Sequence, residues 1–317
     1  MRLVSFSAAT GAGERLGALV DNDAAVLDLA DAHARSLVAE GATEARAAAI
    51  AASYFADALA LIESGSAGLE LARAAIERDE AAAKTPLAEV ALGVPLRPPR
   101  LRDCIAFETH MRNWLVVENG KEIPPAYFEI PVFYKGNART LIGPEADLVR
   151  PAYTEKLDYE LELGLVLGSD AVDVPKAEAE GQIWGVTCFN DFSARDVQSK
   201  EIAVGLGPAK AKDFGTAIGP CLVTIDEVPD LYDLEMEARV NGEVWSHGNT
   251  GEIHWRFDSI VERMSASEPL VAGEIFGSGT VAKGCGLELG KFLGDGDLVE
   301  IEIERVGVLR NRVAARR

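Results

Sequence analysis

The chain has 317 residues, of which 48% are hydrophobic, so a large buried core is expected and global disorder is excluded. Its 31 basic and 51 acidic residues give a formal net charge of −20 at pH 7. This charge repels polyanions, which excludes nucleic acids and anionic membranes as partners. A small anionic substrate would need a local cation or a metal to draw it in.

The cysteines and the apolar segments predict a cytoplasmic location. The four cysteines are scattered without Cys-x-x-Cys spacing, which is typical of neither a zinc site nor a disulfide framework and fits a reducing compartment. The first residues lack the apolar core of a signal peptide. No apolar stretch approaches the roughly 20 residues that are needed to span a bilayer.

Residues 1–95 are predicted to form a small N-terminal domain of α/β type. Short strands are expected at 3–6, 16–20 and 25–29. Alanine-rich segments with helical periodicity follow from about 31 to 84, and glycines break them into separate helices. The proline-rich segment 93–100 predicts a boundary with a second domain at 96–317.

The second domain is predicted to be β-rich and of α+β class, because strand patterns recur between glycine and proline residues. The patterns lie at 131–134, 157–167, 183–189, 218–225, 233–240, 271–276 and 297–304. Asn241-Gly242 predicts a two-residue hairpin, and residues 256–267 predict a helix. A tight turn at 295–297 is expected to lead into the last long strand, and no internal repeat is present.

Three acidic residues alternate within an otherwise apolar strand pattern at 157–167. Because strand side chains alternate with period two, Asp158, Glu160 and Glu162 are expected to share one face. Neighbouring carboxylates repel unless one is protonated or a cation neutralises them, and hard oxygen ligands suit Mg²⁺, Ca²⁺ or Mn²⁺. An edge strand with a solvated acidic face shows the same alternation, so the pattern alone leaves both interpretations open.

Three further residues are candidates for the same chemistry. Asp191 follows an apolar strand pattern and suits either a third metal ligand or a helix N-cap. Lys212 lies in a glycine-containing segment without phosphate-loop spacing, and it suits an anion-binding or a solvated position. His110 is one of four histidines, and by spacing alone it fits an ordinary surface position better than a general base.

Together these segments resemble the fumarylacetoacetate hydrolase family over nearly all of residues 100–317. Asp103 lies seven residues before His110, as in the hydrolase branch of that family. Asn113 stands where the isomerase and decarboxylase branch usually has a glutamate, which favours hydrolysis. The other matching segments are Asp-x-Glu-x-Glu at 158–162, Asn-Asp-x-Ser-Ala-Arg-Asp-x-Gln at 190–198, Lys-x-Phe-Gly-Thr at 212–216, Tyr-x-Gly at 134–136, Ser-Gly-Thr at 278–280 and Leu-Glu-Leu at 287–289.

The resemblance implies an α+β, mainly β fold with the family's C-terminal mixed β-sandwich roll, a homodimer and a small keto-acid substrate. The implied ligands of Mg²⁺, for which Ca²⁺ or Mn²⁺ could substitute, are Asp103, Glu160, Glu162 and Asp191. The implied catalytic residues are His110, Glu288, Arg195, Gln198 and Lys212. The implied substrate-binding residues are Tyr134 and Thr280. Glu288, in a short strand-like segment at 286–290, is the candidate partner of His110.

The expected activity is metal-dependent hydrolysis of a carbon–carbon bond in a diketo acid or acylpyruvate, such as fumarylacetoacetate or fumarylpyruvate, in aromatic catabolism. Water activated by His110 and an enolate stabilised by the metal would carry the reaction. A 2-oxo acid decarboxylase or a 2-hydroxydienoate isomerase or hydratase on the same scaffold is the alternative. A metal-binding protein without catalysis is the third class, against which His110, Arg195 and Lys212 argue. Residues 118–131 suit either a lid or an ordinary surface loop.

Overall fold

The first part of the chain combines short strands with a group of helices. The computed structural model describes residues 1–8, 13–118 and 120–315, without the side chains of 116–118. The strands are β1 (Arg2–Ala8), β2 (Arg15–Val20), β3 (Ala25–Asp28), β4 (Lys84–Pro86) and β5 (Val90–Leu92). The helices are α1 (Leu29–Ala39), α2 (Glu44–Phe55), α3 (Ala58–Glu63) and α4 (Gly65–Arg78).

Side-chain caps fix where three of these helices begin. The side chains of Asp28, Thr43 and Asp57 accept hydrogen bonds from backbone N–H groups three residues further on, at 3.0, 3.4 and 2.8 Å. Such caps satisfy N–H groups that have no partner inside the helix. The predicted helical region is confirmed as far as Arg78, after which Asp79 adopts a left-handed conformation.

The second part of the chain is dominated by strands. They are β6 (Leu101–Cys104), β7 (Phe133–Gly136), β8 (Leu141–Ile142), β9 (Asp147–Val149), β10 (Leu157–Asp158), β11 (Glu162–Leu167), β12 (Ile183–Asn190), β13 (Ser193–Ala194), β14 (Thr216–Thr224), β15 (Glu235–Val240), β16 (Glu243–Asn249), β17 (Ile275–Gly277), β18 (Leu298–Ile303) and β19 (Gly307–Ala314). The helices are α5 (Glu108–Met111), α6 (Lys176–Ala179), α7 (Arg195–Val204), α8 (Phe257–Ser265) and α9 (Gly286–Leu289). A π-helical turn, Arg112–Glu118, continues from α5.

Two sheets organise these strands. The larger is twelve-stranded and mixed, with the order β4-β3-β2-β1-β14-β12-β11-β17-β6-β7, while β5 pairs with β1 and β8 with β14. The smaller has the order β16-β15-β18-β19-β9, and β19 packs across β14 of the larger sheet. One hydrophobic core draws side chains from both sheets and from α8. The predicted α+β, mainly β class is confirmed.

The larger sheet continues across the predicted domain boundary. Strand β1 pairs antiparallel with β14, with Leu3 opposite Leu222. Leu3 is fully buried in a hydrophobic cluster that also contains residues of the central strands. The chain therefore joins its first strand to the middle of the sheet, and an independently folding domain at residues 1–95 stays a prediction.

Two local predictions are confirmed. The hairpin around Asn241-Gly242 joins β15 and β16, with Val240 opposite Glu243. The predicted helix is found at Phe257–Ser265. All four cysteines are buried and unpaired. In the part of the chain that the structure describes, every helix is too short or too polar to cross a bilayer.

Three local predictions are wrong. The acidic strand at 157–167 is interrupted, because the N–H of Glu160 leaves the ladder and donates to Asn190 Oδ1 at 3.0 Å. The strand after the turn at 295–297 is not the last, since β19 follows it and pairs with it. The segment around Glu288 forms a helical turn at Gly286–Leu289 rather than a strand.

Replacing Leu3 with alanine should lower the free energy of unfolding by about 2–5 kcal/mol, because a cavity would remain in a packed cluster. Urea denaturation measures this value. Val244→Ala is the control, since Val244 is 52% exposed and its replacement should change the free energy by less than about 0.5 kcal/mol. A similarly small change for Leu3→Ala would show that β1 is not part of the cooperative unit.

Candidate functional site

Neighbouring strands bring acidic residues to one end of the larger sheet. Strand β6 carries Asp103 and β11 begins at Glu162, and β17 pairs with both strands between them. Strand β12 ends just before Asp191. A cavity of about 330 Å³ opens at this end, and Asp103, Glu160 and Glu162 line it.

These three carboxylates form an acidic cluster. One oxygen of each of Asp103, Glu160 and Glu162 lies within 4.8 Å of the others, and all three residues are buried. Among the described residues, Asp103 Oδ1 and Glu162 Oε1 have no hydrogen-bond partner. Buried acceptors without a partner are costly, and a bound cation would satisfy them.

The cluster carries more negative charge than its surroundings neutralise. Burial raises the pKa of Asp103 well above its ordinary value, and the negative charge of Asp191 adds to this effect. Burial and the charge of Asp103 likewise raise the pKa of Glu162. Burial alone would also raise the pKa of Glu160, but the charges of Lys212 and Arg195 outweigh it and lower this pKa to about 2.

Gly277 allows the carboxylates to converge. A Cβ atom at this position would lie 2.5 Å from both Asp103 Oδ1 and Glu162 Oε2. No side chain fits there, so β17 has to present bare backbone between the two acidic strands. Sequence reasoning missed this residue, since a glycine at the end of an apolar strand shows only that a close approach is needed.

Two buried cations are bound to the acidic side chains. Lys212 Nζ lies 2.6 Å from both Glu160 Oε2 and Asp191 Oδ2. Arg195 Nε donates to Asp158 Oδ2 at 2.7 Å, and its Nη2 lies 2.8 Å from Glu160 Oε1 in an ion pair. The remaining nitrogen of Arg195, Nη1, donates to Gln198 Oε1 at 2.9 Å. These contacts bring Arg195, Gln198 and Lys212 together at the wall of the cavity.

Asp191 lies next to the acidic cluster and is fully hydrogen-bonded. Tyr134 Oη donates to its Oδ2 at 2.7 Å, and Thr216 Oγ1 donates to its Oδ1 at 3.2 Å. Lys212 Nζ also lies 2.6 Å from Oδ2 of Asp191, in an ion pair. The role of Asp191 as a metal ligand therefore stays a prediction. Tyr134 and Thr280 both line the cavity, and Thr280 Oγ1 donates to Leu161 O at 3.4 Å.

A histidine–carboxylate pair stands on the same cavity. His110 Nδ1 lies 2.6 Å from Glu288 Oε1, which confirms the predicted contact. Asn113 Nδ2 donates to Glu288 Oε2 at 2.6 Å, and the N–H of Lys283 donates to the same oxygen at 3.1 Å. Burial would raise the pKa of Glu288. The hydrogen bond and the charge of His110, together with the hydrogen bond from the amide of Asn113, outweigh burial and lower this pKa.

This arrangement suits proton transfer. The carboxylate of Glu288 engages Nδ1 of His110, so exchange of a proton with a molecule in the cavity would use Nε2. In the sequence, Asn113 stands out only as a position that lacks the glutamate of the isomerase and decarboxylase branch. In the structure its amide donates to Glu288 and orients this carboxylate. The side chain at this position is a hydrogen-bond donor, which the spacing of the motif could not reveal.

Asp158 has a structural contact that the strand pattern did not predict. Its Oδ1 accepts from the N–H of Gly286 at 2.7 Å, and its Oδ2 accepts from the N–H of Leu287 at 3.0 Å. It also accepts from Arg195, as described above. Asp158 therefore joins the cation at the acidic cluster to the helical turn that carries Glu288.

The segment 118–131 is only partly described. Residues 125–128 form a 3₁₀ turn in which Tyr127 is buried, and Trp255 Nε1 donates to the carbonyl of Tyr127 at 2.8 Å. Asn119 and the side chain of residue 118 lie outside the described residues. A lid at this segment stays a prediction.

The fold and the site together define a mixed-sheet protein whose central strands end in a buried acidic cluster beside a histidine–carboxylate pair. The family model described as Fumarylacetoacetate (FAA) hydrolase C-terminal matches residues 102–314. An uncharacterized protein of Archaeoglobus fulgidus is 34% identical over 197 residues, which cover 62% of this chain and 74% of that protein. The chain belongs to the fumarylacetoacetate hydrolase family.

Solved structures agree with this assignment. The fumarylacetoacetate hydrolase of Exiguobacterium antarcticum superposes with a TM-score of 0.74 at 25% identity, over 100% of both chains. A 2-hydroxyhepta-2,4-diene-1,7-dioate isomerase of Mycobacterium marinum superposes with a TM-score of 0.58 at 29% identity, over 73% of this chain and 81% of its own. Similar proteins thus carry names of both hydrolases and isomerases.

The residues of the acidic cluster fit the divalent metal that enzymes of this family generally use. All three donors are carboxylates, which suit a hard cation such as Mg²⁺, and two of their oxygens lack partners among the described residues. Which metal binds, and whether Asp191 joins the cluster in holding it, stay predictions.

Replacing Glu162 with glutamine should lower the affinity for Mg²⁺ by a factor of at least about 10, because it removes a charged ligand while roughly keeping the shape. Isothermal calorimetry measures the affinity. Glu243→Gln is the matched control, because the Glu243 side chain is 70% exposed and does not line the cavity, and it should bind Mg²⁺ as the unmodified protein does. Unchanged binding by Glu162→Gln would contradict the assignment.

Proposed function

We propose that the protein is a metal-dependent hydrolase that cleaves a carbon–carbon bond in a diketo acid or acylpyruvate. The observation that carries this proposal is the His110–Glu288 pair, which shares one cavity with the acidic cluster. The pair supplies a base for water, and the cluster supplies ligands for a divalent ion. The proposed setting is the catabolism of aromatic compounds.

Asp103, Glu160 and Glu162 would hold the ion, with Asp191 as the proposed fourth ligand. When bound, Mg²⁺ would act as a Lewis acid on the carbonyl and carboxylate oxygens of a 2-oxo acid. Two oxygens, one of Asp103 and one of Glu162, lack partners within the described part of the chain, which supports this role.

His110 would act as the general base. Glu288 accepts the hydrogen bond at Nδ1 and would stabilise the positive charge that develops on the imidazole. Nε2 would then take a proton from a water molecule, and the resulting hydroxide would attack the carbonyl carbon that is remote from the 2-oxo acid group. Asn113 would keep Glu288 in place during this step.

Arg195, Gln198 and Lys212 would stabilise the negative oxygen that forms on attack, as preorganised donors do in acyl-transfer sites. Breaking the carbon–carbon bond passes its electron pair to the carbon next to the 2-oxo group. The products are then a carboxylic acid and the enol form of a 2-oxo acid, whose hydroxyl group would receive the proton that His110 took from water. Tyr134 and Thr280 line the same cavity and would contact the substrate.

An isomerase or a 2-oxo acid decarboxylase on the same scaffold is the second candidate. The similarity to the Mycobacterium marinum isomerase, at 29% identity, supports it. Against it stands Asn113, which donates to Glu288 and cannot transfer protons as a carboxylate does. The homodimer and the cytoplasmic location that the sequence suggests remain proposals.

Turnover assays separate these candidates. Fumarylpyruvate and acylpyruvates test hydrolysis, oxaloacetate tests decarboxylation, and a 2-hydroxydienoate tests isomerisation, each with Mg²⁺ and with a chelator. We expect hydrolysis that depends on Mg²⁺. Isomerisation or decarboxylation without hydrolysis would favour the second candidate, and Mg²⁺ binding without any turnover would leave a binding protein.

Replacing His110 with alanine should lower kcat by a factor of about 10² to 10⁴, the usual contribution of a positioned base. Metal content should remain unchanged, because the acidic cluster provides ligands without the imidazole. Steady-state kinetics and elemental analysis test both statements. Loss of the metal in this variant would mean that His110 is a ligand and would contradict the mechanism.

Replacing Glu288 with glutamine should lower the rate of hydrolysis and move the acid limb of the pH–rate profile to lower pH. Removal of the negative charge that faces the imidazolium makes its protonated form less stable. The fold and Mg²⁺ binding should be retained, as circular dichroism and calorimetry would show. Full activity with an unshifted profile would remove Glu288 from the mechanism and favour the isomerase.

A further inference from the structure

The cavity has a charged floor and an apolar mouth. Every acidic or basic side chain that lines it within the described residues is buried. The more exposed lining side chains are mostly apolar: Val132 is 41% and Ile202 is 40% exposed. The apolar mouth consists of Trp114, Val132, Phe133, Ile202 and Leu287.

We infer that the site selects substrates whose tail, the part remote from the 2-oxo acid group, is an uncharged hydrocarbon rather than a second carboxylate. This inference rests on the proposed function, which places the 2-oxo acid group of the substrate at the acidic cluster on the floor of the cavity. The tail would then extend past Ile202 and Val132, and contact with carbon would bind it.

The cations that line the cavity are already bound to acidic residues. Lys212 Nζ contacts Glu160 and Asp191 at 2.6 Å. Arg195 uses its nitrogens on Asp158, Glu160 and Gln198. Neither lies at the exposed end of the cavity, since both residues are buried. Among the described lining residues, no cation is left to bind a carboxylate at the mouth.

Two surface cations next to lining residues also have acidic partners. Arg112, which follows the lining residue Met111, donates to Glu108. Lys135 Nζ donates to Glu268 Oε1 at 2.8 Å. A carboxylate at the apolar mouth would lose hydration without gaining an ion pair to a described lining residue, and the net charge of −20 would oppose its entry.

A matched pair of stable 2-oxo acids tests the tail directly, without any turnover. 2-Oxohexanoate and 2-oxoadipate have the same chain length and differ only in a terminal carboxylate. Calorimetry in excess Mg²⁺ should give at least about 10-fold tighter binding of 2-oxohexanoate. Equal or tighter binding of 2-oxoadipate, or no binding of either acid, would overturn the inference.

Ile202→Lys places a cation at the mouth and should reverse the preference. The variant should bind 2-oxoadipate more tightly and 2-oxohexanoate more weakly than the unmodified protein. Val204→Lys is the matched control, because Val204 lies on the same helix, is 83% exposed and does not line the cavity. It adds the same charge and should leave both affinities unchanged. An equal effect of both lysines would mean that the added positive charge acts regardless of its position, and it would contradict a role for the apolar mouth.

Turnover distinguishes a failure of this inference from a failure of the proposed function. Acylpyruvates with an uncharged alkyl tail should show higher kcat/KM than fumarylpyruvate, whose tail ends in a carboxylate. Faster hydrolysis of fumarylpyruvate would overturn the tail preference and leave the hydrolase proposal intact. Tighter binding of 2-oxohexanoate without hydrolysis of any diketo acid would support the tail preference and contradict the hydrolase.

Discussion

Buried negative charge at the end of the central strands is the constraint on which the rest of the site depends. Two buried cations, Lys212 and Arg195, pair with this charge and leave part of it unneutralised. Loss of one partner from a buried ion pair costs about 3–5 kcal/mol, so each of these contacts has to be maintained. The five buried carboxylates involved are Asp103, Asp158, Glu160, Glu162 and Asp191.

The fold holds these charges together by backbone geometry. Strand β17 separates the strands of Asp103 and Glu162, and Gly277 keeps the space between their carboxylates clear. Asp158 binds both Arg195 and the backbone of α9, the helical turn that carries Glu288. Asp158 and Arg195 thus link the helical turn of Glu288 to Glu160 of the acidic cluster through hydrogen bonds and an ion pair.

The sequence predicted what depends on local patterns or on the family resemblance. The strands, the hairpin at Asn241-Gly242 and the pairing of Glu288 with His110 followed from alternation, turn chemistry and the family resemblance. Apart from what the resemblance implied, the sequence could not predict individual hydrogen bonds between residues that are far apart in the chain. Period-two alternation contains no sign that Asn190 draws the N–H of Glu160 out of the ladder.

Two functional contributions were missed for the same reason. Asn113 was considered only as the absence of a glutamate, whereas its amide donates to Glu288 from a π-helical turn. Gly277 indicated only a close approach, because its importance lies in two side chains that come from other strands. Both roles are set by packing between segments that are far apart in the chain.

The central claim is that the acidic cluster binds a divalent cation beside His110. Anomalous diffraction from crystals grown with Mn²⁺ tests it most directly, because Mn²⁺ takes the same oxygen ligands as Mg²⁺ and can be located without assumptions. We predict one strong peak among Asp103, Glu160 and Glu162. A peak instead at His110, Cys285 and Glu288, the other described group whose ligand atoms lie within 4.8 Å of one another, or no peak at all, would contradict the claim.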